Sequence, residues 1–230
     1  MQAVILAAGR GTRMGDLVGN TPKPMLMVAG KTLLEHKFDA LPEEVDEIIL
    51  VVGYLQEVIK DRYGDSYKGK KISYVTQENI VSGTMNALEQ ARPILKSRFF
   101  VMYADNIYAA ADMQKCLPFE GWVMVVEKRE SLQSLANVVV NADGLITDII
   151  EADTHTGGSG LANTGLYLLD ERIFAYPPVA VQGRTETGLP QTMLQACGQV
   201  PMHIVPATLF IEITNPDDIQ AAEKTLAEMR

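Results

Sequence analysis

Three short, nearly unbroken apolar runs constrain this chain most: AVILAA (3–8), EIILVVG (47–53) and RFFVMYAD (98–105). A strand that is apolar at successive positions, rather than alternate ones, must be covered on both faces. That is the condition of a strand inside a parallel sheet layered between helices. The intervening sequence agrees. TLLEHKFDAL (32–41) and LQEVIKDRYG (55–64) have helical spacing, stopped by Pro42 and Gly64 respectively. KISYVTQ (71–77) alternates as a strand, and a helix over roughly 83–92 is expected after it with Ser82 as its N-cap.

The second half changes character. WVMVVEK (122–128), ANVVVN (136–141), LITDII (145–150) and ANTGLYLLD (162–170) read as strands, with a hairpin turn at Asn141–Gly144. A helix is expected in 186–197 from near Pro190, and two short strands in 202–213 broken at Pro206. The terminal helix of 216–230 opens with Pro216 and two acids, which is good start chemistry. Alternating β and α followed by a strand-rich stretch predicts an α/β fold. Its expected form is a Rossmann-like, doubly wound mixed sheet, mostly parallel, with an antiparallel-rich second half. No Pro-, Gly- or Ser-rich linker and no repeat divides the 230 residues. One domain over 1–230 is therefore expected, with a nucleotide-binding half over roughly 1–120. A more antiparallel half, supplying a second substrate site, and the C-terminal helix would occupy 121–230. In such sheets ligands bind beyond the carboxyl ends of the strands.

Charge narrows the partners. With 29 acidic against 20 basic residues and a net charge of −9, the chain lacks the basic surface of a nucleic-acid binder. No apolar run is long enough to cross a membrane, and the first is too short and lacks the basic flank of a secretory leader. The two cysteines, Cys116 and Cys197, fit no disulfide framework or metal spacing, and a reduced, cytoplasmic setting is expected. His36, His155 and His203 form no metal-ligand spacing, and His36 reads as structural.

The first apolar run opens into Gly9-Arg10-Gly11-Thr12-Arg13-Met14-Gly15, followed shortly by TPKPM (21–25). This is no Walker loop, because no Gly-Lys-Ser/Thr follows. It is no dinucleotide fingerprint either, because Met14 stands where the third glycine belongs. Exposed backbone N–H groups beside Arg13 and the Pro-flanked Lys23 instead suit a polyphosphate.

LAAGRGTRM together with TPKPMLMVAGKTLLEH strongly resembles the sugar-phosphate nucleotidyltransferases, and the resemblance extends over nearly the whole chain. It implies a GT-A-like fold and a Mg²⁺-dependent reaction of a nucleoside triphosphate with a sugar 1-phosphate, releasing pyrophosphate. By the same resemblance, Leu6, Ala7, Ala8, Gly9, Gly11, Thr12 and Arg13 wrap the nucleotide. Arg13 and Lys23 act on the reacting phosphates. Gln77, Gly83 and Thr84 lie at the base. YADNIY (103–108) is similar to the family's strand-end acidic segment, with Ala104 where glycine is commoner, and makes Asp105 the first metal ligand. LFIEITNPDD (209–218) supplies Glu212 as the second, where aspartate is usual, and Phe210 where tryptophan is common.

On the acceptor side the resemblance points to Tyr103, Asn106, Glu151, Asn163, Thr164, Gly165 and Glu186. The family's Glu-Lys-Pro lysine, which holds the sugar phosphate, is absent: Glu151 is kept and Ala152 takes the lysine position. Lys128, Arg184 or Lys23 is left to hold that phosphate. Tyr108 and Trp122 join Tyr103 and Glu186 as candidates for an acid-and-aromatic acceptor site. The alternatives are a cytidylyltransferase for a phosphorylated alcohol such as phosphocholine, or a catalytically silent nucleotide-binding regulator. The family also leads one to expect a homodimer or homotetramer. The chain ends soon after these segments, so no acetyltransferase or left-handed β-helix extension is expected.

Overall fold

The computed structural model describes residues 1–132, 135–151 and 157–229. The first half runs β1 (Gln2–Ala7), a kinked 3-10 stretch (Thr12–Val18), the ribbon β2–β3 (Met27–Val28 and Lys31–Thr32), α1 (Leu33–Ala40), β4 (Glu47–Val52), α2 (Gln56–Tyr63), β5 (Ser66–Tyr67), β6 (Lys70–Thr76), α3 (Thr84–Ala91), β7 (Arg98–Tyr103), β8 (Asn106–Tyr108) and α4 (Ala110–Cys116). The second half runs β9 (Trp122–Arg129), β10 (Asn137–Val140), β11 (Ile146–Ile150), β12 (Gly160–Asp170), the ribbon β13–β14 (Val179–Ala180 and Thr187–Gly188), α5 (Leu189–Leu194), β15 (Met202–Pro206), β16 (Phe210–Glu212) and α6 (Pro216–Glu228).

The main sheet has the order β11-β10-β12-β7-β1-β4-β6-β5, with β9 along β12 and β15 beyond β9. β1, β4, β6, β7, β9, β10 and β15 point one way, and β5, β11 and β12 run against them. The chain steps from β1 outward to β4 and β6, then returns to the far side of β1 as β7. The connections that leave the carboxyl ends of β1 and β7 therefore diverge, opening the crevice where such sheets bind ligands.

Burial explains the apolar runs. In β1, Ala3, Ile5 and Ala7 face one core with Ile48, Leu50, Phe100 and Met102, under Leu34 and Phe38 of α1 and Ile59 of α2. Val4 faces the opposite core with Ile49, Val51, Phe99 and Val101, under Met85 and Leu88 of α3 and Met193 of α5. Each fully buried side chain of this size contributes about 1.5–3 kcal/mol relative to exposure. A third cluster packs α6, through Ala222, on Met14, Val28, Leu33, Ile107 and Ile213.

Local chemistry sets the ends. Thr32 and Glu35 form a capping box at α1, and Asn215 and Asp218 form one at α6, where Pro216 opens the helix. The expected Ser82 cap is corrected: Gly83 is the N-cap of α3, with φ 95°. The Ser82 hydroxyl instead lies 2.5 Å from both Asn79 O and Asn86 Oδ1, and its one proton serves either acceptor. Met25 is buried, whereas Met27, two residues on, is half exposed. Among the described residues, no helix is long and apolar enough to cross a membrane.

Candidate functional site

At the carboxyl ends of β1 and β7 lies a cavity of about 520 Å³. It is lined by Leu6, Ala7, Ala8, Gly9, Gly11, Thr12, Arg13, Lys23, Gln77, Gly83, Thr84, Tyr103, Asp105, Asn106, Glu151, Asn163, Thr164, Glu186 and Glu212. Of the residues that the resemblance places at the nucleotide, the metal and the acceptor, Gly165 is missing from this lining. That residue lies behind the wall: a Cβ there would stand 2.3 Å from the Tyr103 ring, and its φ is +75°. Glycine lets the Tyr103 ring approach β12 closely.

The glycine loop is built around Lys23. Gly11 has φ +65°, and a Cβ on it would meet the Lys23 Cβ at 2.8 Å. The loop can thus lie directly on the lysine stem. Ala8 O accepts from Tyr54 N at 3.1 Å, tying the loop to the end of β4. Arg10 leaves the cavity and places its guanidinium 5.7 Å from the Tyr54 ring centroid. Lys23 is 7% exposed, between Pro22 and Pro24, and donates to Asp105 Oδ2 at 2.7 Å.

Asp105 sits at the corner between β7 and β8. Ala104 N donates to Leu6 O at 3.2 Å, and Ile213 N donates to Asp105 O at 3.0 Å. β16 pairs antiparallel with β8, with Glu212 opposite Asn106. Two carboxylates distant in sequence are thus brought close, Asp105 at the corner before β8 and Glu212 on the strand paired with β8. Burial, and then the Asp105 charge, push the Glu212 carboxyl above its usual pKa. Among the described residues, no group of three or more acidic, His or Cys side chains gathers as a metal site. The protein's own offer is two carboxylates beside Lys23 and Arg13.

Gln77 leaves β6 with its N–H on Val52 O at 2.8 Å. Its Nε2 faces Ser82 Oγ at 3.1 Å, Gly83 O at 3.2 Å and Asn86 Oδ1 at 3.2 Å. The Gly83 carbonyl can only accept, so the amide nitrogen is fixed on this side and Oε1 on the other.

The opposite wall is a bulge in β12. Its register against β9 shifts between Asn163 and Tyr167. Thr164 Oγ1 donates to Val125 O at 2.7 Å, while Thr164 O accepts from Asn106 Nδ2 at 2.9 Å and Tyr108 OH at 3.0 Å. Asn163 Nδ2 donates to Tyr167 OH at 2.8 Å, and Tyr167 OH meets Tyr103 OH at 3.2 Å. Glu151 accepts from Gln191, and Arg184 and Glu186 lie on the loop joining β13 to β14. Of the candidate phosphate holders, Lys23 and Arg184 line the cavity, whereas Lys128 is exposed on β9 away from it. Tyr108 and Trp122 are buried and do not line it. Ala152 and His155 lie outside the described residues.

Several wall residues went unread in the sequence, among them Ile80, Leu135, Val181 and Gln191. They carry no motif and reach the cavity by tertiary packing. Lys37 also went unread. It is 1% exposed, and its Nζ donates to Ala104 O at 2.8 Å, to Leu33 O at 3.3 Å and to Asn106 O. Burial pulls its pKa down to about 7, against the charge of Asp105, which pushes it up. Its signal was a lysine within the apolar stripe Leu33, Leu34, Phe38 and Leu41.

The model of the nucleotidyl transferase family matches residues 2–197. The chain belongs to that family. It is similar to a UTP–glucose-1-phosphate uridylyltransferase of Haloferax volcanii, with 33% identity over 99% of this chain and 97% of the relative. It spans only 42% of the bifunctional protein GlmU of Methanococcus vannielii, to which it is 32% identical over 76% of its own length. Among solved structures, a CTP:phosphocholine cytidylyltransferase from Streptococcus pneumoniae superposes with a TM-score of 0.77 at 23% identity, over 98% of each chain. That likeness is one of fold, and the α/β sheet described above is the sheet of this family.

Proposed function

We propose that the chain transfers a nucleoside monophosphate from a nucleoside triphosphate to a sugar 1-phosphate. One observation carries the reading: the Lys23–Asp105 pair and Glu212 line one cavity at the switch point, together with the glycine loop and the Asn163–Thr164 bulge. The full-length similarity to a uridylyltransferase supports it.

In the proposed reaction, an oxygen of the acceptor phosphate attacks the α-phosphorus. A new P–O bond forms as the bond to the bridging oxygen breaks, and the electron pair leaves with pyrophosphate. The acceptor phosphate is already ionised at neutral pH, so no general base is required. Catalysis then rests on positioning and charge stabilisation. The loop N–H groups and Arg13 would bind the leaving phosphates, and Lys23 would stabilise charge at the α-phosphorus. Asp105 and Glu212 would hold Mg²⁺, a hard cation that takes carboxylate oxygens. When bound, it would neutralise phosphate charge between donor and acceptor. Gln77 Oε1 would accept from the base. Arg184 and Lys23 would hold the acceptor phosphate, and Asn163, Glu151 and Glu186 its hydroxyls.

A second reading has one observation in its favour. Glu151, Glu186 and Tyr103 put acids and an aromatic ring on the acceptor wall, which would suit a cationic phospho-alcohol. A pyrophosphate-release screen separates the two, crossing each nucleoside triphosphate with sugar 1-phosphates and phosphorylated alcohols in Mg²⁺. Turnover is expected with a sugar 1-phosphate. Turnover with only phosphorylated alcohols transfers the assignment to the second reading. Nucleotide binding without release in any combination removes the catalytic assignment.

A further inference from the structure

Lys37 has no part in the chemistry above, yet it is among the largest fully buried side chains of the protein. Its neighbours on α1, Leu33, Leu34 and Phe38, are buried apolar side chains. An ammonium in that place is unfavourable unless every N–H is used. Here every one is used, on the carbonyls of Leu33, Ala104 and Asn106.

The last two carbonyls bracket Asp105. β7 ends at Tyr103 and β8 begins at Asn106, so Ala104 and Asp105 form a two-residue corner. Lys37 holds the carbonyls on either side of Asp105, and Ile213 N holds the carbonyl of Asp105 itself. With these three oxygens turned into α1 and β16, the Asp105 carboxylate is left to the cavity side, where it accepts from Lys23. An apolar side chain at 37 would fill the volume and leave two buried carbonyls free to turn.

We propose that Lys37 is a positioning residue of the reaction centre, fixing the corner that aims the Asp105 carboxylate. The proposal rests on the assignment of Asp105 above. Outer groups that orient ligating carboxylates typically account for about 10- to 100-fold in metal affinity or activity.

The test uses the whole protein with Lys37→Met, which keeps the length and loses the donors, and Lys37→Gln, which keeps one amide donor. Ile173→Ala is the control, because Ile173 is fully buried beyond the far end of β12. Three quantities are measured: kcat, KM for the triphosphate, and Mn²⁺ affinity by electron paramagnetic resonance with a non-hydrolysable nucleotide. Lys37→Met is expected to lower kcat and Mn²⁺ affinity by about 10- to 100-fold, with a smaller change in KM because the glycine loop is untouched. Lys37→Gln is expected to fall between it and the parent. Ile173→Ala is expected to lose stability alone.

A folded Lys37→Met protein with kcat and Mn²⁺ affinity close to the parent's overturns the proposal, as does the same loss in Ile173→Ala. If Lys37→Met does not fold, Lys37→Gln decides by the same readings. Failure of both to fold makes the lysine a core residue and also overturns it. Asp105→Asn is measured in parallel. If it leaves Mn²⁺ binding and kcat intact, the assignment of Asp105 falls, whatever Lys37 does.

Discussion

Lys23 and Asp105 lie 82 positions apart and meet at 2.7 Å with little exposure of the lysine. Each limits what the other can lose. Asp105→Asn keeps shape and removes charge. Turnover is expected to fall by at least about 10²-fold with the melting temperature nearly unchanged, read by pyrophosphate release and thermal unfolding. Lys23→Met is expected to fall comparably, and the double variant little further, because paired groups act as a unit. Gly165→Ala tests packing instead. A Cβ 2.3 Å from the Tyr103 ring at φ +75° forces the ring to move. About 1–3 kcal/mol of stability should be lost, measured by urea unfolding. Residue identity was legible wherever it sat in a motif, as at Gly11, Lys23 and Asp105. Gly165 was read into the cavity because a sequence does not say which side of a strand a glycine serves. Lys37 was passed over because a lysine on a helix is ordinarily solvated.

Two short elements carry much of the geometry. The β8–β16 ribbon places Glu212 beside Asp105. It is anchored by Asp112, fully buried at the start of α4, which accepts from Thr208 N and Thr208 Oγ1, each at 2.7 Å. β8 was hidden in the sequence because three residues carry too little periodicity to separate from a loop. The helix ends, in contrast, were legible as Pro42, Gly64 and Pro216. Asp39 shows how one element is fastened to its neighbour. It accepts from Lys31 at 2.5 Å, from Tyr67 OH of β5 at 3.0 Å and, just beyond β5, from Lys68 at 2.6 Å. Burial pushes its pKa up, but those bonds outweigh it and hold the carboxyl at about 2 against 3.8 unfolded. Because the folded value is the lower one, this stabilisation is present above pH 3.8 and fades as pH falls through 2. Asp39→Asn should therefore be less stable by about 2 kcal/mol at pH 7. The deficit should shrink as pH drops from 4 towards 2, as followed by urea unfolding across that range. A constant deficit would contradict the ionic origin.

Across the molecule, the Ser82–Gly83 turn and the β13–β14 ribbon are bonded directly. Thr187 N donates to Ser82 O at 2.8 Å, Leu189 N donates to Thr84 Oγ1 at 2.9 Å, and a Cβ on Gly83 would stand 2.3 Å from Thr187 O. Thr84→Val leaves the Leu189 N–H without its partner. A loss of about 1–3 kcal/mol is expected, with KM raised for both triphosphate and acceptor. A rise confined to one substrate would mean that the two ends of the cavity are uncoupled. The sequence by itself determined the layered sheet, because runs apolar at every position can be satisfied only between helices. It also marked the loop that lines the cavity, because glycine, arginine and a Pro-flanked lysine fall within one stretch. Tertiary structure alone decided that Glu212 stands beside Asp105, that Gly165 lies behind Tyr103, and that a buried lysine grips the corner carrying Asp105. The physical reason is range: periodicity and turn chemistry act over a few residues. These contacts join positions tens of residues apart, and only the folded sheet makes them neighbours.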